Sequence, residues 1–154
     1  PVRWNTTFSI NDSNTFSEGA THNTYQAVQV SGCGHKATNI VWQVTKVPIV
    51  IGEPTSACTY LVVDNGGKLT LADTTIVKFF TGGRIDVRGQ LSAEAVNGIV
   101  FTGYRDDAHG GDTNADGASS AAAPGYRRGC TRSCQKRSRS GCQSAALRPA
   151  SVPT

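Results

Sequence analysis

The densest chemical potential in this chain lies in a short acidic segment, Asp112, Thr113, Asn114, Ala115, Asp116 and Gly117. Oxygen-bearing side chains stand at every second position, and a glycine follows the third. Alternate residues of such a loop turn toward one centre, and their carboxylate and amide oxygens suit a hard cation such as calcium. Asp106 and Asp107, at the end of the preceding apolar run, could complete the ligand set. The expected metal site is therefore Asp106, Asp107, Asp112, Asn114 and Asp116. It is not an EF-hand, whose twelve-residue loop would close with a glutamate at position 123, where this chain has Ala123. Asp, Asn and Gly also build tight turns with no metal, so a plain turn stands beside the calcium reading.

Other combinations offer less. The three histidines, His22, His35 and His109, lie far apart and form no paired motif. Cys33 and His35, separated by one glycine, have no second pair with which to complete a metal site. Arg84, Arg88 and Arg105 could serve as the base of a lyase, but exposed charges on strands are the default. Trp42 and Tyr104 are the best aromatic candidates for gripping a sugar, and both equally suit a core or a coil cap. No catalytic residue and no organic cofactor is expected.

The elements that must hold the acidic segment are short strands. Residues 26–30 alternate polar and apolar, and 39–44 and 48–51 follow as further strand candidates. Residues 60–102 repeat: Leu61 and Val63 recur 24 residues later as Ile85 and Val87. Gly67, Leu69 and Leu71 recur 22 residues later as Gly89, Leu91 and Ala93, and Ile76 recurs after 23 as Ile99. Strands this short, divided by Gly, Asp or Asn, cannot build a sandwich hairpin by hairpin. They suit a coil in which each turn of chain lays its strands on those of the turn before. Leu61, Val63, Leu69, Leu71, Ile76, Ile85, Val87, Leu91, Ile99 and Phe101 are expected to point inward. An antiparallel meander with accidental periodicity is the alternative.

Low charge (17%) and 17 glycines agree with an all-β chain, and no stretch carries sustained helical periodicity. No apolar run is long enough to span a bilayer. A chain that begins with Pro1 and has no methionine is expected to be a mature product or a fragment. The net charge of +4 is misleading. Residues 124–154 hold seven basic residues and no Asp or Glu, so residues 1–123 carry eight basic against eleven acidic residues, a net −3. Five cysteines leave at least one unpaired within the chain. Cys33 and Cys58 either form a disulfide, in an oxidising compartment, or stay as two buried thiols.

Residues 60–79 (YLVVDNGGKLTLADTTIVKF) and 82–93 (GGRIDVRGQLSA) resemble the opening coils of bacterial right-handed parallel β-helix repeat proteins, the pectate-lyase-like solenoids. Residues 99–117 (IVFTGYRDDAHGGDTNADG) are similar to a loop characteristic of that family. The resemblance covers roughly residues 38–125. It implies an all-β, right-handed parallel β-helix, secreted or on the bacterial cell surface, with further coils beyond this chain. Its implied role is structural, adhesive or carbohydrate-binding and non-catalytic in this segment, with a polysaccharide or cell-surface glycan as partner. The alternative is the N-terminal part of a polysaccharide lyase or glycoside hydrolase, since the fold alone does not fix function.

Four parts follow: an irregular or edge-strand region at 1–37, coils at 38–102, an acidic Gly/Asp-rich loop at 103–125, and a basic low-complexity tail at 126–154. The tail departs from the family after Pro124 and Gly125, where apolar alternation stops. It reads as disordered, or as the product of a shifted reading frame, rather than as a basic arm. No aromatic follows Tyr126, so a stacking platform for nucleic-acid bases is absent and no nucleic acid is expected as partner.

Overall fold

The structure, a computed structural model, describes residues 2–3, 6–10, 13–14, 16–18, 21–22, 26–44, 46–52, 60–122 and 131–132. The tail is outside them except for residues 131–132, as are Cys58 and the Pro124–Gly125 junction. Fifteen short strands and no helix occur among the described residues. They are β1 (Val2–Arg3), β2 (Phe8–Ser9), β3 (Ser17–Glu18), β4 (Thr21–His22) and β5 (Val28–Ser31). Next come β6 (Gly34–Lys36), β7 (Asn39–Gln43), β8 (Ile49–Ile51), β9 (Tyr60–Val63) and β10 (Lys68–Leu71). The last five are β11 (Ile76–Phe79), β12 (Arg84–Val87), β13 (Gln90–Ser92), β14 (Val100–Gly103) and β15 (Thr131–Arg132).

Apart from the antiparallel pair β3–β4, every pairing is parallel. Three sheets result. The first has the order β1-β5-β8-β11-β14, the second β6-β9-β12-β15, and the third β2-β7-β10-β13. From β5 onward the chain visits the first, second and third sheets in unbroken rotation, so each strand lies on the one a full turn earlier. This is the solenoid-like stacking that the repeat predicts, and the meander is excluded. The pairing also takes in segments before residue 38, since β5 lies on β8 and β6 on β9.

Register follows the repeat closely. Leu61 pairs with Ile85 and Val63 with Val87, while Leu69 pairs with Leu91. One row differs: Ile76 pairs with Val100, not with Ile99. In β11 it is Val77 and Phe79 that enter the core, each fully buried, so Ile76 points outward rather than inward. Both Ile76 and Val77 are apolar, so alternation alone leaves the phase of this strand open.

The core is a set of stacked rows. Leu61 lies on Ile85, Leu69 on Ile40, and Phe79 on Ile51, with Phe101 stacked on Phe79 at 6.4 Å between ring centroids. No coil can bury its inward side chains alone, and each contributes roughly 1.5–3 kcal/mol once covered by its neighbours. Trp42 lies between Leu71 and Phe8 of neighbouring strands, wholly buried and stacked on Phe8 at 5.7 Å. It therefore belongs to the core and is not a sugar platform.

The corners reuse one turn. Gly67 N donates to Asp64 O (2.9 Å) and Gly83 N to Phe80 O (2.7 Å), with Gly66 and Gly82 at φ +86° and +82° as the third residue of each. That position needs a left-handed backbone, which glycine adopts without strain. Thr74 occupies the same position at the corner before β11 with φ 64°, where Asp73 Oδ1 accepts from its amide at 2.9 Å.

Among the described residues, β14 and β13 each have a partner on one side only. Such edges offer unpaired backbone donors and acceptors to other chains. The protein is therefore expected to self-associate as its concentration rises, read as a growing high-mass fraction in size-exclusion chromatography. A monomer that persists at high micromolar concentration would mean that these edges are covered.

Candidate functional site

The acidic loop does not project into solvent. After β14 the chain turns back over the outer face of the first sheet, crossing β11 and the segment before β8. Gly110 passes so close that a Cβ there would lie 2.5 Å from Pro48 Cγ and 3.3 Å from Ile76 Cδ1, and its φ is +74°. The outward position of Ile76 is thereby explained, because this loop covers it.

The loop is pinned by a residue that the sequence reading did not single out. Lys78, at the centre of β11, faces outward between the core residues Val77 and Phe79, yet it is fully buried. Its Nζ donates to Gly111 O at 2.8 Å and to Thr113 Oγ1 at 2.6 Å, and Thr113 is also fully buried. Burial lowers the Lys78 pKa, while the fields of Asp106, Asp107 and Asp112 oppose that shift. A lysine in an apolar strand (IVKF) hints at a special role, but only the returning loop reveals it.

The predicted ligands divide into two groups. Asp107, Asp112 and Asp116 converge, each offering an oxygen within 4.8 Å of the others. Calcium bonded at about 2.4 Å to two oxygens holds them no more than about 4.8 Å apart, so the spacing fits. Asp107 Oδ1, Asp116 Oδ1 and Asn114 Oδ1 are buried and accept no hydrogen bond. Burial raises the Asp107 pKa, and repulsion from Asp112 and Asp116 raises it further. Asp112 also closes the loop, its Oδ1 accepting from Asp116 N (3.1 Å) and its Oδ2 from Gly117 N (2.8 Å). Asp116 Oδ2 accepts from Asn114 Nδ2 at 2.6 Å and from the Ser120 hydroxyl.

Asp106 stands apart from this cluster. It accepts from the Thr102 hydroxyl and from Ala108 N (3.1 Å), and it pairs with His109 Nδ1 at 2.8 Å. Burial would raise its pKa, but these partners outweigh burial and hold it below the usual carboxylate value. Asp106 thus anchors the loop's base, and its partner His109 is half exposed.

The remaining candidates sit elsewhere. Arg84 bonds Asp86 (3.1 Å) and lies 4.8 Å above the Tyr60 ring, while Arg88 bonds Asp64 (3.3 Å), which also pairs with His35 (3.1 Å). All of these decorate the second sheet or its edge, and such exposed pairs contribute little to stability. Tyr104 packs on Phe80 with centroids 5.0 Å apart. These two rings, with Thr81, Arg105, Asn114 and Asp116, border a cleft of about 190 Å³. That is below the roughly 300 Å³ at which enclosing ligand pockets begin. Cys33 is disulfide-bonded, and the other four cysteines lie outside the described residues.

Fold and loop together define a solenoid-like, all-β protein with three parallel sheets and an acidic loop docked on one of them. No protein-family model matches the chain, and no curated protein or solved structure resembles it significantly.

Proposed function

We propose that this chain is a segment of an exported, right-handed parallel β-helix protein with a structural or adhesive role, whose loop over the first sheet holds calcium. The observation that carries the calcium reading is the convergence of Asp107, Asp112 and Asp116, in which one oxygen each of Asp107 and Asp116, and that of Asn114, is buried and accepts no hydrogen bond. Charge supports it. Four loop aspartates, Asp106, Asp107, Asp112 and Asp116, stand against two fixed cations, Lys78 and Arg105, and one divalent ion balances the remainder. The ion would be held by Asp107, Asp112 and Asp116, with the Asn114 side-chain oxygen as the next ligand. Its role would be to lock the loop rather than to do chemistry. The disulfide at Cys33 fits an oxidising, exported setting. A surface glycan is the partner class in keeping with that setting.

Thermal melting in EDTA and in millimolar calcium tests the reading. A ligand at about 100 times its Kd stabilises the folded state by about 2.7 kcal/mol. For a chain of this size that corresponds to a rise in melting temperature of roughly 5–10 °C. Asp107→Asn combined with Asp116→Asn should remove the rise while leaving the far-UV spectrum unchanged. These two positions discriminate better than Asp112, whose oxygens also close the loop. An unchanged wild-type melting curve at millimolar calcium would reduce the loop to a turn.

A further inference from the structure

We infer that Lys78 is the positioning residue of the acidic loop, holding it closed over the first sheet before any cation arrives. The inference rests in part on the calcium reading above, but its first arm does not. Lysines on the outer face of a strand ordinarily extend into water. Lys78 instead ends beneath the loop, giving hydrogen bonds to Gly111 O and Thr113 Oγ1, which flank Asp112 on either side. No carboxylate lies within ion-pair distance of its Nζ among the described residues, so the ammonium grips the loop's neutral oxygens and leaves the carboxylates to one another. The strand fixes Lys78 by full burial of Val77 and Phe79 on either side of it. The fit of Gly110 against Pro48 and Ile76 allows the loop to approach within its reach. A rigid sheet, one buried cation and a close glycine contact thus set the positions of Asp107, Asp112 and Asp116.

Arg105 stands at the start of the loop with its side chain exposed, but a protease cuts only backbone that can detach and extend into its site, so tryptic cleavage after Arg105 reports loop opening. In EDTA the wild-type full-length chain should resist cleavage at Arg105, and Lys78→Met should be cut there rapidly while the coils stay intact. Thr113→Val, which keeps Lys78 but removes one acceptor, should give an intermediate rate. If the loop is closed only about one tenth of the time in Lys78→Met, half-saturation by calcium moves up about tenfold. Asp107→Asn with Asp116→Asn should stay protected in EDTA and show no calcium response. If calcium has no effect even on wild type, the calcium reading fails, yet the EDTA cleavage rates still decide the role of Lys78. Should Lys78→Met fail to fold, Thr113→Val carries the comparison. Cleavage of both variants at the wild-type rate in EDTA would overturn the inference.

Discussion

Gly89→Ala should destabilise the coils severely, among the largest losses expected from one substitution. Gly89 sits at the corner between β12 and β13, directly upon the corner formed by residues 64–67 one turn earlier. Its amide donates to Val63 O (2.9 Å), and the next amide, Gln90 N, donates to Gly67 O (2.9 Å). A Cβ on Gly89 would stand 2.3 Å from both Asp64 O and Gly67 O. Neither oxygen can swing aside, because each belongs to the backbone of the coil below. Relief requires lifting one coil from the other, which breaks these hydrogen bonds at about 1 kcal/mol each. Overpacking adds about 1–3 kcal/mol or more. Against a total stability of about 5–15 kcal/mol, that loss is severe. Gly98→Ala is the informative control. Gly98 has φ +92° but nothing within 4 Å of a new Cβ, so only backbone strain, on the order of 1–3 kcal/mol, is incurred. Urea unfolding of both variants makes the comparison. Equal midpoints would mean that the corners do not stack as described.

Trp42→Ala should cost about 3–5 kcal/mol, the range for removing a large buried aromatic. Trp42 is wholly buried, stacks on Phe8, and donates its Nε1 proton to Thr6 O at 3.3 Å. It ties the segment that carries β2 to the third sheet, so its loss should free that segment as well as leave a cavity. Trp42→Phe should recover most of the packing and lose the bond to Thr6 O, whose residue is exposed, a smaller cost of about 0.5–1.5 kcal/mol. Denaturant midpoints, with protease susceptibility of residues 6–10, measure both effects. A loss below about 1 kcal/mol for Trp42→Ala would return this ring to the list of surface aromatics.

Much of the architecture was legible in the residues themselves. The alternation in β10 and β12 and the 24- and 22-residue recurrences named the inward rows and their partners, because side-chain direction along a strand has a period of two. The spacing of Asp112 and Asp116 likewise marked a loop built around converging oxygens, since that geometry is local. Where two apolar residues adjoin, as at Ile76 and Val77, local pattern cannot choose the phase. Only the stacking of Val77 between Ile49 and Phe101 chose it. Nor could spacing separate Asp106 from Asp107. They are neighbours in sequence, yet one bonds Thr102 and His109 while the other joins the acidic cluster. Lys78 is the clearest case of tertiary decision. By sequence it is a charged residue on the outer face of a strand, and its burial exists because a loop some thirty residues later folds back across it. Local periodicity determines which side of a strand a residue occupies. What covers that side depends on contacts distant in sequence, and the docked position of the acidic loop rests on those contacts.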